Sequence, residues 1–270
     1  MIGKKGRNRK EFQEYLIKPQ HNTHISHQEY IVSPATAFLR YCTDATNAIE
    51  YCQKYFPRNA DDGFTKDGLA SLQHMSAALL PAIMGHFETY QRYLFTGLFE
   101  TSHLIRGFNI TKFFKKIDKE KIETINLAGY RGFNATAGIL LADSLGWHDP
   151  EKVNSHFKSF EVETEIFSSI DCRDLNILWQ LRHSIVHTGG SITLPDAQKV
   201  DKLHEHGGKV IVFDNNFIPE VCRRFHPLIK GATERVFVAF EKKLTLATID
   251  DRARLRQLCL VESNSPSLFN

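Results

Sequence analysis

The feature that most constrains the fold is the return of apolar residues at helical spacing along several long segments. After Ser33-Pro34, which suit a helix N-cap and first turn, apolar side chains recur every three or four residues until Pro57. The same spacing runs through residues 67–103 and 219–246. Pro81 lies inside the first of these segments and is expected to kink or divide its helix. The sequence therefore predicts an all-α helical bundle.

One segment has strand character instead. Residues 209–213 are rich in β-branched and aromatic side chains, and residues 214–216 have the composition of a turn. Phe217-Ile218 can return as a second short strand. The sequence thus predicts one small β-hairpin at 209–218 within the helical fold.

Composition narrows the class of protein. Hydrophobic residues make up 42% and charged residues 24%, which is typical of a globular chain rather than a disordered one. No apolar run approaches the ~20 residues that span a bilayer, and no apolar signal core follows the basic N-terminus. The five cysteines are scattered without CxxC spacing, which argues against a disulfide framework and a thiolate zinc site. We expect a cytoplasmic protein that does not associate with membranes.

The segment with the most chemical content is the predicted helix at residues 176–187, which Gly189-Gly190 should end. At 100° per residue, four aliphatic residues share the side expected to face the core: Ile177, Leu178, Leu181 and Ile185. The side expected to face outward carries a mixed set: Trp179, Arg182, His183, Val186 and His187. An outward face of this composition predicts that a ligand or a second protein surface covers it.

Arginine and histidine side chains together can catalyse the cleavage of a phosphodiester. Arginine stays charged and presents a planar fork that matches phosphate oxygens, while histidine gains and loses a proton near neutral pH. A histidine can take the proton of a ribose 2′-hydroxyl, which then attacks the adjacent phosphate. Arginine can stabilise the charge that develops on the phosphoryl oxygens. The set is therefore sufficient for RNA cleavage without a metal ion.

The spacing Arg182-x4-His187, with the polar His183 directly after the arginine, resembles the R-x4-6-H motif of HEPN ribonucleases. The segment Phe87-Glu88-Thr89-Tyr90 resembles the first core helix of that family, which often carries an inward acid. The resemblance covers about residues 70–250. It implies a helical bundle that dimerises with two motifs facing one cleft, and metal-independent RNA cleavage in phage defence or a toxin–antitoxin system.

The resemblance also implies roles for four residues. Arg182 stabilises the phosphate, His187 is the general acid or base, His183 orients one of them, and Glu88 orients Arg182. No metal and no cofactor is expected. The expected partners are an RNA substrate, a second copy of the chain and an antitoxin or regulatory protein. Because Arg182 and His187 stand about 140° apart on an ideal helix, their cooperation requires a distorted last turn or two facing chains.

Three alternatives stay open. The chain can be a non-catalytic HEPN-like module that binds RNA, a nucleotide or a protein. His183 and His187, at i, i+4 spacing, can bind a metal with a third ligand from elsewhere: His86, Glu88 or His226. Finally, Arg182 can pair with Glu88 while His187 interacts with the last helix carbonyls.

The expected domain organisation has three parts. Residues 1–28 are expected to form a flexible basic arm, and residues 29–250 a helical HEPN-like domain. Residues 104–170 would be an insertion of extra helices into that domain. Residues 251–270 are expected to form a C-terminal tail.

Overall fold

The computed structural model describes residues 25–117 and 136–262, and these residues are mainly helical. The all-α prediction is confirmed. The helices, in chain order, are α1 (His27–Val32), α2 (Pro34–Tyr55), α3 (Lys66–Thr101), α4 (Ile110–Lys116), α5 (Ala137–Asp143), α6 (Pro150–Lys158), α7 (Ser169–His187), α8 (Leu194–Ala197), α9 (Phe217–Glu241) and α10 (Ile249–Leu258). Short 3₁₀ turns occupy Ser102–Leu104 and Asp201–His206. None of the described helices is long and apolar enough to cross a membrane.

Local sequence signals explain where several helices begin. Asn109 caps α4 by accepting a hydrogen bond from the backbone N–H of Lys112, and Asp149 caps α6 directly before Pro150. Pro34 starts α2 as expected, but the Ser33 hydroxyl bonds to the Leu260 carbonyl rather than capping the helix. The sequence therefore identifies the caps of α4 and α6, whereas at Ser33 a distant backbone group takes the hydroxyl that would have capped α2.

Helix α3 is the centre of the bundle. It runs unbroken through Pro81, so the expected division into two helices does not occur. Its Phe87 ring packs against Phe38 of α2, with ring centroids 5.6 Å apart, and against Phe225 of α9 at 4.9 Å. These three helices bury a common aromatic core, which fixes the face of α3 that carries Glu88 relative to its neighbours.

The predicted hairpin at 209–218 is wrong. Phe217 and Ile218 are the first residues of α9, and the described residues contain no strand, only isolated bridges such as Ser191 with Val210. The 209–213 segment instead pairs with the chain that follows α7: the Ile211 N–H donates to the Gly190 carbonyl at 2.7 Å. The Gln73 side chain satisfies the Phe213 backbone, so no second strand is needed.

The ends of the chain also differ from expectation. Residues 251–258 belong to α10, which packs on α3, α9 and α1, and are not a tail; residues 263–270 lie outside the described residues. Residues 1–24 of the expected arm lie outside the described residues, while Ser26 caps α1. Of the expected insertion, α4 and α6 bury Phe113 and Phe157 against Phe95 of α3, so its described residues share the main core.

Candidate functional site

Helix α7 has the start and end that its sequence requires. Ser168 and Asp171 form a reciprocal capping box at its N-terminus. At its other end, Gly189 and Gly190 adopt φ angles of 63° and 85°, the left-handed region that glycine enters without steric cost. The Gly190 N–H donates to the Ser184 carbonyl at 3.0 Å, which closes the last turn. The predicted glycine stop is confirmed.

The predicted orientation of α7 is correct only in part: Leu178, Leu181 and Ile185 pack against the core as expected, but they are not the helix's most buried side chains. Its buried side chains are Cys172, Leu175, Trp179, Gln180 and Ser184. The aliphatic residues expected in the core are only partly buried: Ile177, Leu178, Leu181 and Ile185. The helix has two apolar stripes, and the stripe with the large indole ring is the one that packs on α3, where Trp179 lies 6.2 Å from the Phe87 ring.

The second apolar stripe lines a groove between α7 and α9. Leu178 and Leu181 of α7 face Val221 and Leu228 of α9 across a volume of about 540 Å³. This groove lies on a different side of α7 from the charged residues of the motif.

Those charged residues line a cleft of about 320 Å³ on the opposite flank. Arg182 and His183 of α7 face His148 and Asp149 from the start of α6, and Lys199 from the segment after α8. Trp179 forms part of the wall. The cleft therefore combines a guanidinium, two imidazoles and an ammonium group with the carboxylates of Asp149 and Glu151, and its donors can bind an anionic group.

Arg182 is half-buried in this cleft. Its Nε atom is buried and has no hydrogen-bond partner within the described parts of the chain. A buried donor without a partner carries a desolvation cost, which an acceptor would remove only after a movement that opens this atom to the cleft. Because Arg182 also lines the cleft, its guanidinium can receive a phosphate or carboxylate oxygen there.

Glu88 does not form the expected pair with Arg182. Its Oε2 atom accepts a hydrogen bond from His148 Nε2 at 2.8 Å. This hydrogen bond is the main reason why the pKa of the Glu88 carboxyl lies below its usual value, and the charges of His148, Arg92 and Arg182 lower it further. Arg182 is close enough to act through its charge, but the carboxylate orients His148.

His183 and His187 stack on each other, with ring centroids 4.7 Å apart. His183 lines the cleft, and its Nε2 lies 3.9 Å from Oδ1 of the buried Asp196. The Lys199 Nζ donates to Asp196 at 2.7 Å, and this bond is the main cause of the lowered pKa of the Asp196 carboxyl. His187 is exposed at the helix end and is not among the residues that line the cleft. The structure therefore brings Arg182 and His183 together in the cleft, while His187 contacts the His183 ring outside the cleft lining.

Sequence reasoning missed His148, Asp196 and Lys199. His148 directly precedes the Asp149-Pro150 helix start, where its neighbours explain the local structure and give no sign of a cleft. Asp196 sits three residues after the capping Thr193 and reads as part of a short helix start. Only the tertiary structure brings these three residues near Arg182, since no spacing within the sequence links them to it.

Of the three residues suggested as a third metal ligand, His86 and Glu88 have other contacts, whereas the buried Nε2 of His226 has no hydrogen-bond partner within the described residues. His86 Nδ1 lies 2.7 Å from the Tyr30 hydroxyl, and its ring stacks on Tyr41. Glu88 holds His148. Among the described residues, no group of three or more potential ligands from His, Cys, Asp and Glu is close enough together to hold a metal ion.

Comparison with known proteins adds no assignment. Searches against protein-family models, curated protein sequences and solved structures each return no match for this chain.

Proposed function

We propose that this chain is a cytoplasmic, metal-independent endoribonuclease of the HEPN type that acts as a homodimer. The observation that supports this best is the buried, unpartnered Nε of Arg182 beside His183 in one cleft. By the same resemblance, the biological setting is phage defence or a toxin–antitoxin system, with an antitoxin or regulatory protein as a further partner.

In the proposed reaction, Arg182 binds the phosphoryl oxygens and neutralises the charge that grows on them. An imidazole of the His183–His187 pair takes the proton of the ribose 2′-hydroxyl, whose oxygen forms a bond to phosphorus. The bond from phosphorus to the 5′-oxygen breaks, and that oxygen leaves with a proton. The products are a 2′,3′-cyclic phosphate and a 5′-hydroxyl. A guanidinium and imidazoles supply every group this chemistry uses, so no Lewis acid enters it.

The alternative is a non-catalytic HEPN-like module that binds RNA, a nucleotide or a protein. The position of His187 favours it, because this residue stands at the exposed end of α7 and not in the lining of the cleft. In that case Arg182 and Lys199 bind a phosphate and no bond is broken.

The test is cleavage of a mixed-sequence RNA by the purified chain in the presence of a chelator. We expect cleavage to continue in chelator and to leave cyclic phosphate ends. Arg182→Ala should lower the rate by roughly 10²–10³-fold, the range for removal of one donor to a transition-state oxyanion. His183→Ala and His187→Ala should also lower it. Sedimentation of the same sample at micromolar concentration should show a dimer.

Arg173→Ala is the matched control, since Arg173 lies on the same helix but is exposed and bonds to Asp174. It should cleave as the unaltered chain does. An unaltered dimer that cuts no RNA, or Arg182→Ala and His187→Ala variants that cut at full rate, would contradict the proposal. RNA binding that needs Arg182 but produces no cleavage would favour the binding module.

A further inference from the structure

We propose that His148 is a second acid–base residue of the cleft and that Glu88 is its positioning residue. This inference rests on the proposed ribonuclease function and assigns one of its two proton transfers. Neither residue lies in the motif of α7.

The first argument is the way the fold presents His148 to the cleft. The residue stands just before α6, and its ring lies 4.4 Å from the Trp179 ring of α7. Its side chain is 53% exposed, yet it lines the same cleft as Arg182 and His183. An imidazole that is both reachable and held against an aromatic wall can contact a ligand in a fixed orientation.

The second argument is the bond to Glu88. Because the pKa of Glu88 is lowered, its carboxylate is ionised near neutral pH and only accepts hydrogen bonds. The Nε2 atom of His148, 2.8 Å away, must therefore carry the proton. In the neutral ring this leaves the lone pair on Nδ1, which becomes the atom that takes or gives a proton.

The third argument is the division of labour that the reaction needs. Cleavage removes one proton from the 2′-hydroxyl and delivers one to the 5′-oxygen, so it is fastest with one basic and one acidic group near the phosphate. The His183–His187 pair lies on α7 and His148 stands just before α6, and His148, His183 and Arg182 all line the cleft. One imidazole group accepts a proton as the new P–O bond forms, and the other donates one as the old bond breaks.

Several charged groups lie around His148 and its partner Glu88. They are Glu88 and Arg92 of α3, Asp149 and Glu151 at the start of α6, Arg182 and His183 of α7, and Lys199. The negative charge of Glu88 is the one in direct contact, so its removal should change the protonation of His148 more than any other substitution in this set.

The experiment compares four proteins over a range of pH: the unaltered chain, His148→Gln, Glu88→Gln and the control His204→Gln. Glutamine at 148 keeps an N–H for Glu88 but cannot titrate. We expect His148→Gln to lower kcat by roughly 10²–10³-fold and to remove one limb of the pH–rate profile. RNA affinity should change less than about twofold, because glutamine keeps the hydrogen bond to Glu88 and the proposed phosphate contact is made by Arg182.

Glu88→Gln should lower kcat by about tenfold and move the same limb along the pH axis, as expected of a positioning residue. His204 is half-exposed on the Asp201–His206 turn, and its substitution should leave rate and profile unchanged. Thermal melting of each variant checks that it is folded.

Nitrogen-15 NMR gives a readout that needs no turnover. Neutral His148 should be protonated at Nε2 in the unaltered chain, and this preference should weaken in Glu88→Gln. A full rate and both limbs in His148→Gln, beside an inactive Arg182→Ala, would overturn this inference and leave the proposed function standing. A neutral His148 protonated at Nδ1 would also overturn it. An unaltered chain that cuts no RNA would defeat both.

Discussion

Asn154 determines how the chain enters α7, the helix that carries Arg182 and His183. Its side chain is buried, and it bonds twice to the backbone of one residue ahead of that helix. Its Oδ1 accepts from the Phe167 N–H and its Nδ2 donates to the Phe167 carbonyl, both at 2.8 Å. One amide thus satisfies both backbone groups of a buried residue directly before the Ser168 cap.

We therefore expect Asn154→Ala to destabilise the fold. The substitution leaves a buried N–H and a buried carbonyl without partners, which should lower the free energy of unfolding by about 2–4 kcal/mol. Urea unfolding monitored by circular dichroism measures the change. The control is Asn176→Ala, because Asn176 is partly exposed and its bonds to Glu151 are long, at 3.4 Å. Equal stability of the two variants would contradict this account.

At the scale of single residues, the sequence identifies some of the residues that line the cleft. Arg182 and His183 are recognisable because the chemistry and helical position of α7 single them out. Trp179 shows the limit: spacing reveals two apolar stripes, but the choice of the buried one depends on Phe87 of another helix. His148 could not be found, since its role comes from Glu88, which is distant in the chain.

The packing of α3 against α10 depends on a glycine. A Cβ atom added at Gly97 would lie only 2.5 Å from the Cδ atoms of Leu258, closer than real carbon contacts allow. Leu258 is buried, so its side chain has little room to withdraw. Gly97 therefore allows the close approach of the two helices at the cost of helix propensity.

This contact predicts that the effect of Gly97→Ala on the free energy of unfolding changes sign when Leu258 is replaced by alanine. In the unaltered chain, Gly97→Ala should lower the free energy of unfolding by about 1–2 kcal/mol, because overpacking outweighs the better helix propensity of alanine. In a Leu258→Ala background the clash is gone, and the same substitution should raise the free energy by up to about 1 kcal/mol. Chemical unfolding of all four proteins tests this. Destabilisation by the same amount in both backgrounds would rule out the steric explanation.

Elements were predictable where their signals are local. The starts of α4 and α6 follow from Asn109 and Asp149, and the end of α7 follows from its glycines. The hairpin failed because residues 209–213 find their partners in Gly190, Ile192 and the Gln73 side chain. Strand-like composition shows that a segment suits extended backbone, but the pairing partner depends on the tertiary fold.

At the scale of the whole molecule, two tyrosines, Tyr30 and Tyr90, lie in the core that the described residues form. Burial raises the pKa of Tyr30 and of Tyr90 well above the ordinary value, and the Tyr90 hydroxyl bonds to Thr233 at 2.9 Å inside the core. In the unfolded chain these hydroxyls ionise near pH 10. Since their folded pKa is raised, their contribution to stability is complete below that pH and is lost as the pH rises above it.

Stability should therefore decline in alkali by about 1.4 kcal/mol per pH unit for each buried tyrosine. Tyr90→Phe removes one of these groups. The free energy of unfolding of this variant should therefore fall less steeply with pH, by about 1.4 kcal/mol per pH unit, whether or not the substitution changes stability at neutral pH. Urea unfolding at a series of pH values above about 9.5 gives the slopes. Tyr55→Phe, at an exposed position, is the control. An unchanged slope in Tyr90→Phe would show that its hydroxyl ionises in the folded protein.

The segment that brings Asp196 and Lys199 to the cleft is closed at its base by two backbone hydrogen bonds. The Gly208 N–H donates to the Ile192 carbonyl at 2.7 Å, and the Ile192 N–H donates to the Lys209 carbonyl at 2.9 Å. A loop tied at its neck is tolerant of replacement, because its interior contributes little to the core that supports it. Residues 193–207 can thus be replaced as a unit, in evolution or by protein engineering. Such a replacement would change which ligands the cleft admits and leave the helices that hold Arg182 unaltered.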